Sequence, residues 1–135
     1  MALFEWTNEY SVSVQRFDTE HQRLFAILNE LNDAMAEGRG RFVVARVLQE
    51  LSEYSRWHFS GEESAMRRTG FDGLEDHIAE HRVFSEKIEA MYAECDKAEA
   101  NLPIELLYFL CNWLQNHIRR TDQQYARFLN RAGIY

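Results

Sequence analysis

Five histidines, Glu62 and Asp122 interrupt four otherwise apolar helical faces, and that placement limits what this chain can fold into more than any other feature. In the first segment Leu24, Leu28, Leu31 and Met35 alternate in steps of four and three, as on the buried face of a bundle helix, and His21 stands one step before Leu24. The second carries Val44, Val47, Leu51 and Tyr54 on one face, and His58 and Glu62 continue that face at i and i+4. The third has Leu74, Ile78, Phe84, Ile88, Met91 and Cys95, with His77 and His81 in step between them. In the fourth, Leu107, Leu110, Leu114, Ile118, Tyr125 and Phe128 turn inward, with His117 three residues after Leu114 and Asp122 five residues beyond it.

The segment ends are marked. Gly38-Arg39-Gly40 stops the first helix, and the second runs to about Arg68 before Gly70 breaks its pattern. Asp72 and Glu75 stand at capping-box spacing ahead of the third. Pro103, in Asn101-Leu102-Pro103, suits the first turn of the fourth. A single Pro and six Gly in 135 residues agree with an all-α chain. Short connections between four helices predict an up-down-up-down four-helix bundle in a single domain, residues 1–135. Its bundle would span residues 18–135, after an extended N-terminal arm, residues 1–17, whose Trp6 packs over one end.

A formal charge of -7 opposes a nucleic acid backbone, so no nucleic acid partner is expected. The N-terminus lacks a basic stretch followed by an apolar one, and no apolar run reaches membrane-spanning length. The expectation is a cytoplasmic protein without membrane insertion, in which Cys95 and Cys111 stay thiols and act as small core residues.

Burying five imidazoles and two carboxylates without partners would cost several kcal/mol per ionised group, more than a marginally stable domain tolerates. A metal centre removes that cost, because neutral imidazole and ionised carboxylate are both good ligands. Two octahedral ions offer twelve positions. Five histidines, two bridging carboxylates and one bridging oxo or hydroxo group would fill all but one of them. Zinc is better served by four tetrahedral ligands, and calcium or magnesium by oxygen, so a redox-active pair such as iron is favoured. One spacing resists a regular helix: five residues advance it by about 140°, so His117 and Asp122 should not share a face. Either Asp122 approaches around the rim of the site, or the fourth helix bends or carries a π-bulge there.

These residues resemble the bacterial hemerythrins. The match comprises Asp18-Thr19-Glu20-His21, His58-Phe59-Ser60-Gly61-Glu62-Glu63, His77-Ile78-Ala79-Glu80-His81 and the run Trp113 to Asp122, and it covers nearly the whole chain. The resemblance implies two irons joined by an oxo or hydroxo bridge. His77, His81 and His117 would hold one, His21 and His58 the other, with Glu62 and Asp122 bridging. It also implies reversible dioxygen binding at the two-histidine iron, for oxygen storage, delivery or sensing, rather than an enzyme. Glu20 stands where the family often has Gln, and Gly70-Phe71 where many members have Tyr-Pro.

Two other functions compete. A di-iron oxidase or peroxidase in a four-helix bundle typically carries Glu-x-x-His pairs, of which this chain has none. An iron-storage or repair module tends toward His-x-x-x-Glu where His77-x-x-x-His81 stands here. Leu24, Phe59, Trp113, Leu114 and Ile118 lie next to the histidines in sequence or helical phase and are the expected walls of an apolar oxygen pocket. Glu63, one residue off the ligand face, is expected to leave the metal alone. Any oxygen-consuming or signalling protein partner is not identified by sequence.

Overall fold

Each of the four amphipathic segments can bury its apolar stripe only against the others, and they do so as antiparallel neighbours. A computed structural model describes residues 4–97 and 101–135; Met1, Ala2 and Leu3, the start of the expected arm, lie outside the described residues. Helix α1 spans Gln15–Ala36, α2 Gly40–Thr69 and α3 Leu74–Glu94. The fourth bundle helix is composite: α4 (Leu102–Trp113), a π-helical stretch (Leu114–Thr121) and α5 (Gln123–Arg131) follow one another without a loop. Pro103 sits in the first turn of α4. The up-down-up-down order is as expected, and Gly70 ends α2 with φ +74°, a left-handed conformation that suits a residue without a side chain.

Three local expectations are corrected. The bundle begins at Gln15, not residue 18: Phe17 is already in the core, and Asp18 lies within the first turn of α1. Asp18 accepts hydrogen bonds from Ser11 Oγ at 2.6 Å and the Val12 amide at 2.8 Å, so it anchors the arm to the helix. The arm itself contains a 3₁₀ turn, Asn8–Tyr10. Asp72 and Glu75 form no capping box, because α3 starts after Gly73 and no side chain caps it. Phe128 is only half-buried, against Phe71, while Leu129 takes the core position, a change of phase that follows the π-helical stretch.

The apolar interior forms two clusters. The larger includes Leu24, Leu28 and Leu31 of α1, Val47 and Leu51 of α2, Phe84 and Ile88 of α3, and Leu106, Leu110, Leu114 and Ile118 of the fourth helix. Trp6 packs on it, tilted against Tyr10 and edge-on to Phe25, as the sequence suggested. The smaller joins Val12, Val14 and Phe17 to Ala65, Met66, Tyr125, Ala126 and Leu129. Along α1, α2 and the fourth helix, the inward histidines and carboxylates stand between members of one cluster and members of the other. A polar layer is thereby sealed on both sides. Cys95 and Cys111 are free thiols, partly buried against the larger cluster.

Candidate metal centre

All seven inward polar residues are at most 3% exposed, and their ligand atoms converge. Glu62, His77, His81, His117 and Asp122 present one atom each within 4.8 Å of one another, and His21, His58 and Glu62 form a second such group. Asp122 faces both. Its Oδ1 lies 2.9 Å from His77 Nε2 and 3.0 Å from His117 Nε2, while its Oδ2 lies 3.1 Å from His21 Nε2. Glu62 also reaches both groups, but through one oxygen: Oε1 lies 3.2 Å from His81 Nε2 and 3.3 Å from His58 Nε2, and Oε2 3.4 Å from His21 Nε2.

The π-helical stretch makes this possible. Asp122 donates its backbone N–H to the His117 carbonyl, an i to i+5 bond, so five residues complete one turn and bring both side chains to one face. Of the alternatives left open by the sequence, the π-bulge is the one that occurs.

The donor set fits a pair of cations. Among the described residues, Nε2 of His21, His77, His81 and His117, Oε1 of Glu62 and both Asp122 oxygens are buried without a hydrogen-bond partner. An unsatisfied buried polar group costs about 1–3 kcal/mol, so this many in one layer demands an occupant. In the metal-free chain, protons take the place of cations on part of the set. Burial disfavours the His21 imidazolium, but the Asp122 and Glu62 carboxylates beside it prevail and hold its pKa at about 10. His117 is treated likewise, chiefly by Asp122, and held at about 9. Burial pushes the Glu62 carboxyl up, but His58, His21 and His81 hold it well below the usual range. For Asp122, burial and Glu62 push up, and His117 and His21 prevail. The carboxylates are thus ready as anions, while His21, His81 and His117 must shed protons to bind metal.

Behind the convergent atoms lies a set of partners the sequence search missed. Nδ1–H of His58 donates to Glu20 Oε1 at 2.6 Å, that of His81 to Glu63 Oε2 at 2.7 Å, and that of His117 to Glu80 Oε1 at 3.3 Å. Each carboxylate is the sequence neighbour of an inward residue and reaches the histidine of the next helix. Glu20 adjoins His21, Glu63 adjoins Glu62, and Glu80 adjoins His81. That adjacency was the available signal. Glu63 is therefore not an indifferent neighbour, contrary to expectation, because it orients a histidine. Tyr125 was assigned to the core, yet its hydroxyl also donates to Glu62 Oε2. Burial and the nearby carboxylates push the Tyr125 and Tyr54 hydroxyls well above the usual phenol range, keeping both neutral.

The five expected pocket residues are all buried in the larger cluster. Phe59 stacks on His81 at 3.8 Å and Trp113 on His117 at 3.9 Å, so both rings brace imidazoles of the three-histidine group. The histidine stacked from the two-histidine group is His58, against Tyr54 at 5.2 Å.

Residues 12–129 match the family described as the hemerythrin HHE cation binding domain. The bacteriohemerythrin of Methylococcus capsulatus (strain Bath) is 32% identical over 135 residues, covering 96% of this chain and 99% of its own. That of Stenotrophomonas maltophilia is 33% identical over 126 residues, covering 93% and 81%. A wild-type hemerythrin crystal structure superposes with a TM-score of 0.85 at 30% identity, over 95% of this chain and 98% of that one. With these likenesses over nearly its full length, the chain belongs to the hemerythrin family.

Proposed function

We infer that this chain binds dioxygen reversibly at a non-haem di-iron centre, as an oxygen-binding protein and not an enzyme. The observation that carries this is the sealed layer of seven inward residues, whose ligand atoms fall into two groups sharing Glu62, most of them without a hydrogen-bond partner. His77, His81 and His117 would hold one iron and His21 and His58 the other, with Glu62 and Asp122 shared between them. The two faces of Asp122 support that assignment: Oδ1 turns to two of the three histidines, and Oδ2 to His21.

When bound, the iron pair would supply the electrons and the Lewis-acidic site that dioxygen binding requires. Everything else is done by the chain. Glu20, Glu63 and Glu80 fix which nitrogen of His58, His81 and His117 carries the proton, leaving each Nε2 free to ligate. Tyr125 steadies Glu62 by donating to Oε2. Leu24, Leu114 and Ile118, each 0% exposed, exclude water and proton donors from the oxygen side, which favours reversible binding over oxidation. Phe59 and Trp113 complete this apolar wall while bracing their histidines.

The function serves oxygen storage, delivery or sensing. Among the described residues no helix is long and apolar enough to cross a membrane. We place the protein in the cytoplasm, which its two free thiols support. The test is a visible spectrum of anaerobically reduced protein, taken before air, after air and again under argon. A band that appears with air and leaves under argon is expected. A spectrum indifferent to air, or a band that bleaches without recovery, would overturn the proposal.

A further inference from the structure

Three histidines of the centre rest on a carboxylate, but the three carboxylates differ in their surroundings. The side chains of Glu63 and Glu80 are 23% and 44% exposed, whereas that of Glu20 is 2% exposed. Water screens the first two and is kept from the third. Both oxygens of Glu20 are engaged: Oε1 accepts from His58 Nδ1 at 2.6 Å, and Oε2 from Arg16 Nε at 2.8 Å. Arg16 is itself held in place. A Cβ at position 61 would stand 2.6 Å from its Nη2, so the guanidinium in this position uses the space that Gly61 leaves. Its guanidinium carbon also lies 5.6 Å from the Phe17 ring and 5.8 Å from the half-exposed Trp57 ring. A line of contacts thus runs from the surface through Arg16 and Glu20 to His58.

No comparable device serves the other histidine of that group, since His21 Nδ1 has no hydrogen-bond partner among the described residues. Nor do Glu63 and Glu80 form an ion pair with any arginine among the described residues. The asymmetry is specific to His58.

We propose that Glu20, paired with Arg16 in the slot left by Gly61, is a positioning residue that strengthens electron donation by His58 and so sets the reduction potential of the two-histidine side of the centre. An ionised acceptor on Nδ1–H gives the imidazole partial imidazolate character and makes Nε2 a stronger donor. Stronger donation and the buried negative charge both favour the ferric over the ferrous state. Arg16 works in the opposite sense, because its positive charge draws on the same carboxylate. The proposal rests on His58 being an iron ligand.

The two residues therefore predict shifts of opposite sign. Glu20→Gln keeps the size and one acceptor oxygen but removes the charge. It should hold two irons per chain and change the ferrous-over-ferric preference about tenfold, raising the midpoint potential by about 59 mV per one-electron step. Arg16→Leu removes the cation at the surface and should lower the potential, by less, because solvent already screens a half-exposed guanidinium. Glu63→Gln, acting on His81 through a carboxylate that water reaches, should move it less than Glu20→Gln. The experiment is redox potentiometry of iron-loaded parent and variants, with iron analysis on the same samples. Unchanged potentials in Glu20→Gln and Arg16→Leu, or shifts of the same sign, would overturn the proposal. If Glu20→Gln did not load, Arg16→Leu alone would decide. A parent without an iron-linked potential would overturn the di-iron assignment as well, and is visible before any variant is compared.

Discussion

Leu114→Ala separates filling the core from guarding the oxygen side. Leu114 is 0% exposed, opens the π-helical stretch and belongs to the larger apolar cluster, three residues before His117. Removing three buried carbons forfeits about 2.4 kcal/mol of transfer free energy at ~0.8 kcal/mol each. A residual void of roughly 60 Å³, at ~24 cal/mol per Å³, adds about 1.5 kcal/mol where the surroundings do not relax. The expected loss is about 4 kcal/mol, which lowers the melting temperature by roughly 10–20 °C. Leu31→Ala is the control. Leu31 is also 0% exposed in the same cluster, but it lies ten residues along α1 from His21, roughly 15 Å by helical rise. Both variants should lose comparable stability in urea titrations while retaining two irons. Only Leu114→Ala should shorten the lifetime of the oxygenated visible band, because only there does the void open toward the centre. Equal lifetimes in parent and Leu114→Ala, alongside the stability loss, would show that the leucine fills space and does nothing for oxygen.

Glu62→Ala removes a carboxylate shared by both groups and should lower iron content by at least one ion per chain, measured by elemental analysis. Glu63→Ala should keep two irons but bind them about 10–100-fold more weakly in chelator competition, because His81 loses the acceptor on Nδ1. Equal iron loss in both would contradict the division between ligand and supporting residue. The metal-free chain should be less stable at pH 9 than at pH 6. His21 and His117 rise from about 6.5 unfolded to about 10 and about 9 folded, so their contribution is full below pH 6.5 and is lost as pH rises through those values. Glu62 and Asp122 are lowered, and their contribution is lost in the acid range as they protonate. Urea midpoints in the presence of chelator test this, and a midpoint unchanged between pH 6 and pH 9 would refute it.

Much of this site was legible because a helix converts sequence spacing into direction. His58 and Glu62 at i and i+4, and His77 and His81 likewise, must share a face whatever the tertiary structure. Asp122 was legible only as a misfit. Its five-residue separation from His117 is incompatible with an α-helix, and a π-helical turn that no propensity announces reconciles the two. Spacing alone does not decide where a helix begins: α1 starts at Gln15 and α3 after Gly73, and no side chain caps either. Glu20, Glu63 and Glu80 were hidden for a different reason: each looks like an ordinary charged neighbour on its own helix. Its role appears only when the adjacent helix brings a histidine nitrogen to it. Val12 and Val14 were missed similarly, since no period marks an arm whose burial depends on α2 and the fourth helix.

Anomalous diffraction at the iron absorption edge, from crystals of the iron-loaded protein, tests the central claim most directly. Two peaks are expected in the polar layer, one at ligand distance from His77, His81 and His117, the other from His21 and His58, with Glu62 and Asp122 between them. A single peak, or two peaks of which either lies away from these histidines, would contradict the assignment of a di-iron centre to these seven residues.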